Sequence, residues 1–137
     1  MWQKQLVLHG AIILLIGFAC GAPMGSSIVR RKAEDIVRAW RVAHSSLVMG
    51  AILLLAMAGV VEHLRLDGWA HSLLAACFIV SGYAFAIVLP LGAHYGVRGL
   101  TSQAPGLNRI VYAGNLIGIA GMFIGAFLLI WGAYAAL

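Results

Sequence analysis

Hydrophobic residues fill the chain in long runs, and the few charged residues fall between the runs. Four stretches, 5–29, 42–61, 68–97 and 110–137, contain no Lys, Arg, Asp or Glu. A bilayer is crossed by a helix of roughly 20 apolar residues, so each stretch is long enough. Inside hydrocarbon a backbone N–H or C=O finds no solvent partner, which restricts spanning segments to helices and closed barrels. Barrel strands alternate apolar and polar positions, whereas these runs are continuous. The pattern predicts an all-α membrane protein with four transmembrane helices in an antiparallel bundle, folded as a single domain over residues 1–137.

Composition agrees, because 63% of the residues are hydrophobic and 9% are charged, a balance foreign to soluble domains. The formal charge of +5 does not suggest nucleic acid. Arg30, Arg31, Lys32, Arg38, Arg41, Arg98 and Arg109 flank spans on one side, and only Lys4 and Arg65 fall on the side of the termini. By the positive-inside tendency the Arg-rich loops are expected in the cytoplasm, with both termini outward, in a bacterial inner membrane. Lys4 ahead of an apolar run ending in small residues also has the outline of a cleavable signal, an alternative to a retained first span. Cys20 and Cys77 sit in apolar runs without disulfide or metal spacing.

The connections carry their own expectations. Residues 23–41 begin with Pro23 and Gly25, and the stretch from Arg30 to Trp40 suits an amphipathic interfacial helix with Trp40 at the headgroup level. The connection at 62–67 is short, so the second and third spans should be antiparallel neighbours. Pro90 and Gly92 should loosen the end of the third span before a Gly- and Pro-bearing loop at 95–108. In the fourth span Gly114, Gly118, Gly121, Gly125 and Gly132 recur at helical spacing on one face. Such a stripe lets backbones approach closely, either within one bundle or as the seam of a homo-oligomer.

Ionisable groups within a membrane are costly, which directs attention to the histidines. His63 belongs to a polar loop, and His9 and His71 to the terminal-side ends of the first and third spans. His44 opens the second span and His94 closes the third, both near the Arg-rich side. A neutral imidazole in an apolar bundle is a good axial ligand for haem iron, and Arg side chains pair with haem propionates. His44, with Trp40, Arg41 and Arg38 nearby, meets both conditions. Two other readings stand beside it: an interfacial histidine bonded to a carbonyl, and a His44–His94 pair holding a haem for electron transfer. Paired carboxylates are missing from the spans, since Glu34, Asp35, Glu62 and Asp67 all fall in connections. Phosphate-binding and zinc motifs are missing too. His44 and Ser45, adjacent on a helix, point about 100° apart and cannot act as base and nucleophile.

Trp40-Arg41-Val42-Ala43-His44-Ser45 at the head of the second span, Gly50, Gly82-Tyr83-Ala84 in the third, and Arg98-Gly99-Leu100-Thr101 after it together resemble the styrene oxide isomerases. His9-Gly10 in the first span is similar to that family as well. The resemblance implies a small four-helix membrane enzyme, assembled as a homotrimer, that holds haem b between subunits with His44 as the axial metal ligand. It implies an isomerase in which ferric haem acts as a Lewis acid on the oxygen of a small apolar epoxide. A cation develops at the neighbouring carbon, a hydride shift gives the aldehyde, and an apolar site excludes the water that would give a diol. The partners expected are other copies of the chain, through Gly114, Gly118, Gly121 and Gly125, together with the lipid bilayer and the substrate. The sequence departs from the family where an Asn, an Asp and a Tyr surround the iron, since Gly50, Ser81 and Leu89 stand there. Ser81 and Tyr83 are the expected substitutes as catalytic hydrogen-bonding groups, with Tyr95 a further candidate. Two alternatives remain in view: the two-histidine electron-transfer protein, and a haem-free structural membrane protein whose glycine stripe serves assembly.

Overall fold

The computed structural model describes residues 1–103 and 106–137. Among them the regular structure is entirely helical: α1 (Trp2–Ala19), α2 (Gly21–Val29), α3 (Glu34–Val60), α4 (Gly68–Tyr95) and α5 (Leu107–Tyr134), with a 3-10 turn at Val61–His63. Four helical stretches are long and apolar enough to cross a membrane, namely Trp2–Val29, Glu34–His63, Gly68–Tyr95 and Leu107–Tyr134. Alternation of the spans brings both termini to one end of the bundle and the Arg-rich turns to the other. The chain is an integral membrane protein, and its larger apolar side chains, Phe18, Met49, Ile87, Phe123 and Phe127 among them, face outward as lipid contact requires.

The first span runs past Pro23, where the first connection was expected to begin, to Val29. Proline has no N–H to give to the carbonyl four residues back, and that residue is Ala19, where α1 stops. A new helix starts at once from Cys20, with Pro23 in its first turn, where helix N–H groups lack partners anyway. The expected interfacial helix also takes another form. Residues 34–41 are the opening turns of α3 and continue into the second span without a break. Glu34 and Asp35 sit in the first turn, where carboxylates favour the positive helix end, and no Pro or Gly interrupts the run before Gly50.

Nor does Pro90 loosen the third span, for α4 runs through it to Tyr95. The helix closes at Gly96, which takes the left-handed conformation at φ 69°, while the Val97 N–H returns 3.0 Å to the Gly92 carbonyl. That pairing gives the Gly92 carbonyl, in the last turn, its donor. The expected loop at 95–108 includes Ala104 and Pro105, which lie outside the described residues.

Packing follows two antiparallel hairpins. In the first, Gly10 meets Leu54 and Leu55, Gly17 meets Leu47 and Val48, and Gly21 meets His44, so α1 and α2 descend α3 in register. In the second, Gly114 meets Val88, Gly118 meets Phe85, Gly121 meets Ser81, Gly125 meets Phe78 and Gly132 meets Leu66. The glycine stripe is therefore filled by α4 and, at Gly132, by the connection before it in the same chain, the first of its two expected uses. Helices α1, α3 and α4 enclose the core around Leu6, Ile13, Leu47, Leu54 and Leu74. Helix α5 lies along α4 and adds Leu128 to the core.

Candidate functional site

Each site residue is placed by its helix. His44 stands nearly three turns inside α3, on the face that meets the junction of α1 and α2. Its Nδ1 lies 2.8 Å from the Gly17 carbonyl oxygen. A carbonyl only accepts, so Nδ1 donates, and in the neutral ring Nε2 carries the lone pair. Two glycines line the contact, and Gly17 is the tighter of them. A Cβ on Gly17 would lie 3.0 Å from the Val48 backbone nitrogen, and one on Gly21 would lie 3.4 Å from His44 Nδ1. Gly17 also falls in the last turn of α1, where helix carbonyls run out of intrahelical donors.

Nε2 has no bonded partner among the described residues. No buried side-chain nitrogen or oxygen there lacks a partner, so Nε2 must open to the accessible surface. The expected carbonyl-bonded histidine is what the structure shows, and it does not exclude a ligand at the other ring nitrogen. A bond from the distal nitrogen to a backbone carbonyl fixes the ring and raises the basicity of the free nitrogen, as in protein metal sites. The donor set fits a haem iron held by one imidazole.

The neighbours separate by helical angle. At about 100° per residue, Trp40 and Arg41 share the His44 side of α3 and Arg38 falls well away from it. Trp40 is half-buried against the core, and Arg41 is exposed. Arg38 instead lines a cleft of about 380 Å³ on the opposite face of α3, with Asp35 and Val42. The other walls are Val88 and Leu89 of α4, the turn at Val97–Arg98, and Asn115 of α5. Cleft and imidazole face apart within one chain.

The expected catalytic pair is also divided. Ser81 and Tyr83 are two residues apart on α4, which turns them to nearly opposite sides. Ser81 is fully buried, donates 2.7 Å to the Cys77 carbonyl and packs on Gly121 of α5. Tyr83 turns to α1, where its hydroxyl and His9 Nδ1 are 2.8 Å apart. Neither is brought to His44. His94 is exposed and stacks edge-on against Tyr95 at 4.8 Å, and His71 donates 3.1 Å to the Val61 carbonyl, so no two histidines share a site among the described residues. The His9–Tyr83 bond and the Gly17 carbonyl escape sequence reasoning, the first because 74 residues separate the partners, the second because a backbone acceptor leaves no side-chain signature.

No curated protein and no solved structure shows significant similarity to the chain. The protein-family model described as styrene oxide isomerase, in contrast, matches residues 2–134. The resemblance seen around Trp40 to Ser45 and Arg98 to Thr101 thus extends over nearly the whole chain, which belongs to the styrene oxide isomerase family.

Proposed function

We propose that the chain is a haem b-dependent membrane isomerase that converts a small apolar epoxide to a carbonyl compound, with His44 as the axial ligand. The observation that supports this most directly is the His44–Gly17 hydrogen bond, which leaves a bare, outward Nε2 on a member of this family. Trp40 and Arg41 flank the ring, and Arg41 is the closer of the two candidate Arg residues to pair with a propionate. When bound, ferric haem supplies Lewis acidity toward an epoxide oxygen. The residues of the chain do the rest. The Gly17 carbonyl holds the imidazole in one tautomer and one orientation, and the apolar spans keep water from the electron-poor carbon so that rearrangement outruns diol formation.

A trimer fits the same reading. The ligand face and the cleft lie on opposite sides of α3, so copies arranged in a ring would turn one chain's His44 toward the next chain's cleft. The outer face of α5, with Ile117, Phe123 and Phe127, gives further apolar contact area. The Arg-rich turns are assigned to the cytoplasm and both termini to the outside of a bacterial inner membrane.

The test is an absorption spectrum of the protein purified after haem-replete expression, followed by incubation with an aryl epoxide. We expect a Soret band with open-site ferric character and formation of the aldehyde. Lack of a Soret band would remove the cofactor reading, whereas haem without aldehyde would remove only the reaction.

A further inference from the structure

The cleft that the proposed assembly turns toward the next chain's His44 is aliphatic at depth, with Val42 on α3 and Val88 and Leu89 on α4. Its charged groups, Asp35, Arg38 and Arg98, are exposed at the rim. Among the described lining residues one side chain is polar and neutral, Asn115 of α5. Gly114 meets Val88, which sets Asn115 at the depth of Val88 and Leu89. Ser81 and Tyr83, the groups expected to touch substrate, are bonded elsewhere.

The neighbours of Asn115 force the orientation of its carboxamide. One end of the group lies 3.3 Å from the Arg98 carbonyl oxygen and 3.5 Å from that of Gly99, two atoms that can only accept. The amino nitrogen Nδ2 therefore faces the turn after α4, and Oδ1 faces away from it. That turn is held independently. The Gly99 N–H donates 2.9 Å to Asn108 Oδ1, and Asn108 Nδ2 donates 2.9 Å to the Thr101 carbonyl. Gly99 itself has φ 58°, and a Cβ there would lie 2.6 Å from the Tyr112 backbone nitrogen. Oδ1 receives no hydrogen bond among the described residues. Since no buried side-chain oxygen there lacks a partner, Oδ1 is open, and the opening that Asn115 lines is the cleft.

Rearrangement of an epoxide creates the charge that such an oxygen attracts. The C–O bond breaks with its electron pair passing to oxygen, and the carbon it leaves becomes electron-poor. A hydride then crosses to that carbon from the carbon still bearing oxygen, and the C=O double bond forms, so no atom or electron enters or leaves. A fixed dipole aimed at the transient positive charge lowers the barrier most where water is excluded. We propose that Asn115 is a catalytic residue of the site shared with the next chain's His44, its Oδ1 facing the electron-poor carbon. The assignment rests on the haem isomerase reading and deepens it.

The test compares Asn115→Leu, which removes the dipole, with Asn108→Ala, which loosens the same turn and leaves Asn115 in place. Full-length proteins purified after haem-replete expression are assayed on aryl epoxides with electron-donating or electron-withdrawing ring substituents. Asn115→Leu should keep its Soret absorbance per chain and lower kcat about a hundredfold, with KM changed less than about twofold. The spread of kcat between electron-rich and electron-poor substrates should widen, because the ring must then carry the charge without help. Asn108→Ala should stay within about threefold of the unaltered chain, with no wider spread. Asn115→Ala, smaller and equally without the dipole, should behave as the leucine variant does if that one fails to fold. A second readout needs no turnover: benzylammonium, a small aryl cation, should bind the unaltered chain about tenfold more tightly than Asn115→Leu in calorimetry. Unchanged kcat in Asn115→Leu would overturn the assignment, as would equal benzylammonium affinity. So would equal losses in Asn115→Leu and Asn108→Ala with the spread unmoved, which would make Asn115 a support for the turn. Those results leave the haem isomerase reading standing. An unaltered chain without a Soret band, or without aldehyde formation, would overturn both.

Discussion

The two hairpins use one packing device to different ends. Both run antiparallel, and in both a row of glycines lets a neighbouring helix close in. Between α4 and α5 the close approach buries what is polar: Ser81 turns its hydroxyl back to the Cys77 carbonyl and disappears against Gly121. Between α1–α2 and α3 the approach brings a backbone carbonyl to an imidazole and leaves the other ring nitrogen outward. The difference lies in helix continuity. Helix α5 is unbroken from Leu107 to Tyr134, so its carbonyls are committed along its length, whereas the first span stops at Ala19 and resumes at Gly21. Packing alone thus gives a scaffold. Packing beside a helix end gives an oriented side chain.

The sharpest way to break the comparison is at the ring itself. On the proposed reading, His44→Ala abolishes nearly all haem absorbance at equal protein concentration, while His94→Ala leaves it unchanged. Loss with both variants would favour a two-histidine site. Next come paired glycine changes. Gly118→Val, which drives a side chain onto the Phe85 ring, should cost about 1–3 kcal/mol of stability without changing haem content per folded chain. Gly17→Val should cost a similar amount, about 1–3 kcal/mol, yet also remove most of the haem, because it displaces the carbonyl that orients His44. Denaturation curves with parallel Soret readings separate the two, and equal haem loss in both would erase the distinction drawn between the hairpins. The smallest effect is expected from Tyr83→Phe, which breaks the bond to His9 and should cost about 0.6 kcal/mol, the typical worth of an interhelical hydrogen bond in a membrane. A large loss of aldehyde formation in that variant would restore Tyr83 to the catalytic groups.

Much of the fold was legible in where the charges are absent, since four uncharged runs became four spans. Helix ends were harder to read. An amphipathic stretch such as 30–41 has the same residue pattern whether it lies flat in the interface or begins a spanning helix, and only backbone continuity distinguishes them. Pro23 was read as opening the first connection and Pro90 as loosening the third span, yet one stands in a helix's first turn and α4 runs through the other to Tyr95. At the site, the imidazole could be chosen from its depth and its Arg and Trp neighbours. The angular step along a helix already separates Arg38 from His44 and Ser81 from Tyr83. What no pattern of side chains reveals is an acceptor on the main chain, and here that acceptor sets the tautomer.

The bond between His44 and Gly17 has a consequence for how the protein is made. Both partners belong to the first hairpin, complete by Val60, so a nascent chain can hold the imidazole in its final attitude while α4 and α5 are still being synthesised. Truncation after that point should leave the ring's orientation intact, and whatever the later hairpin contributes is added to a ligand already set.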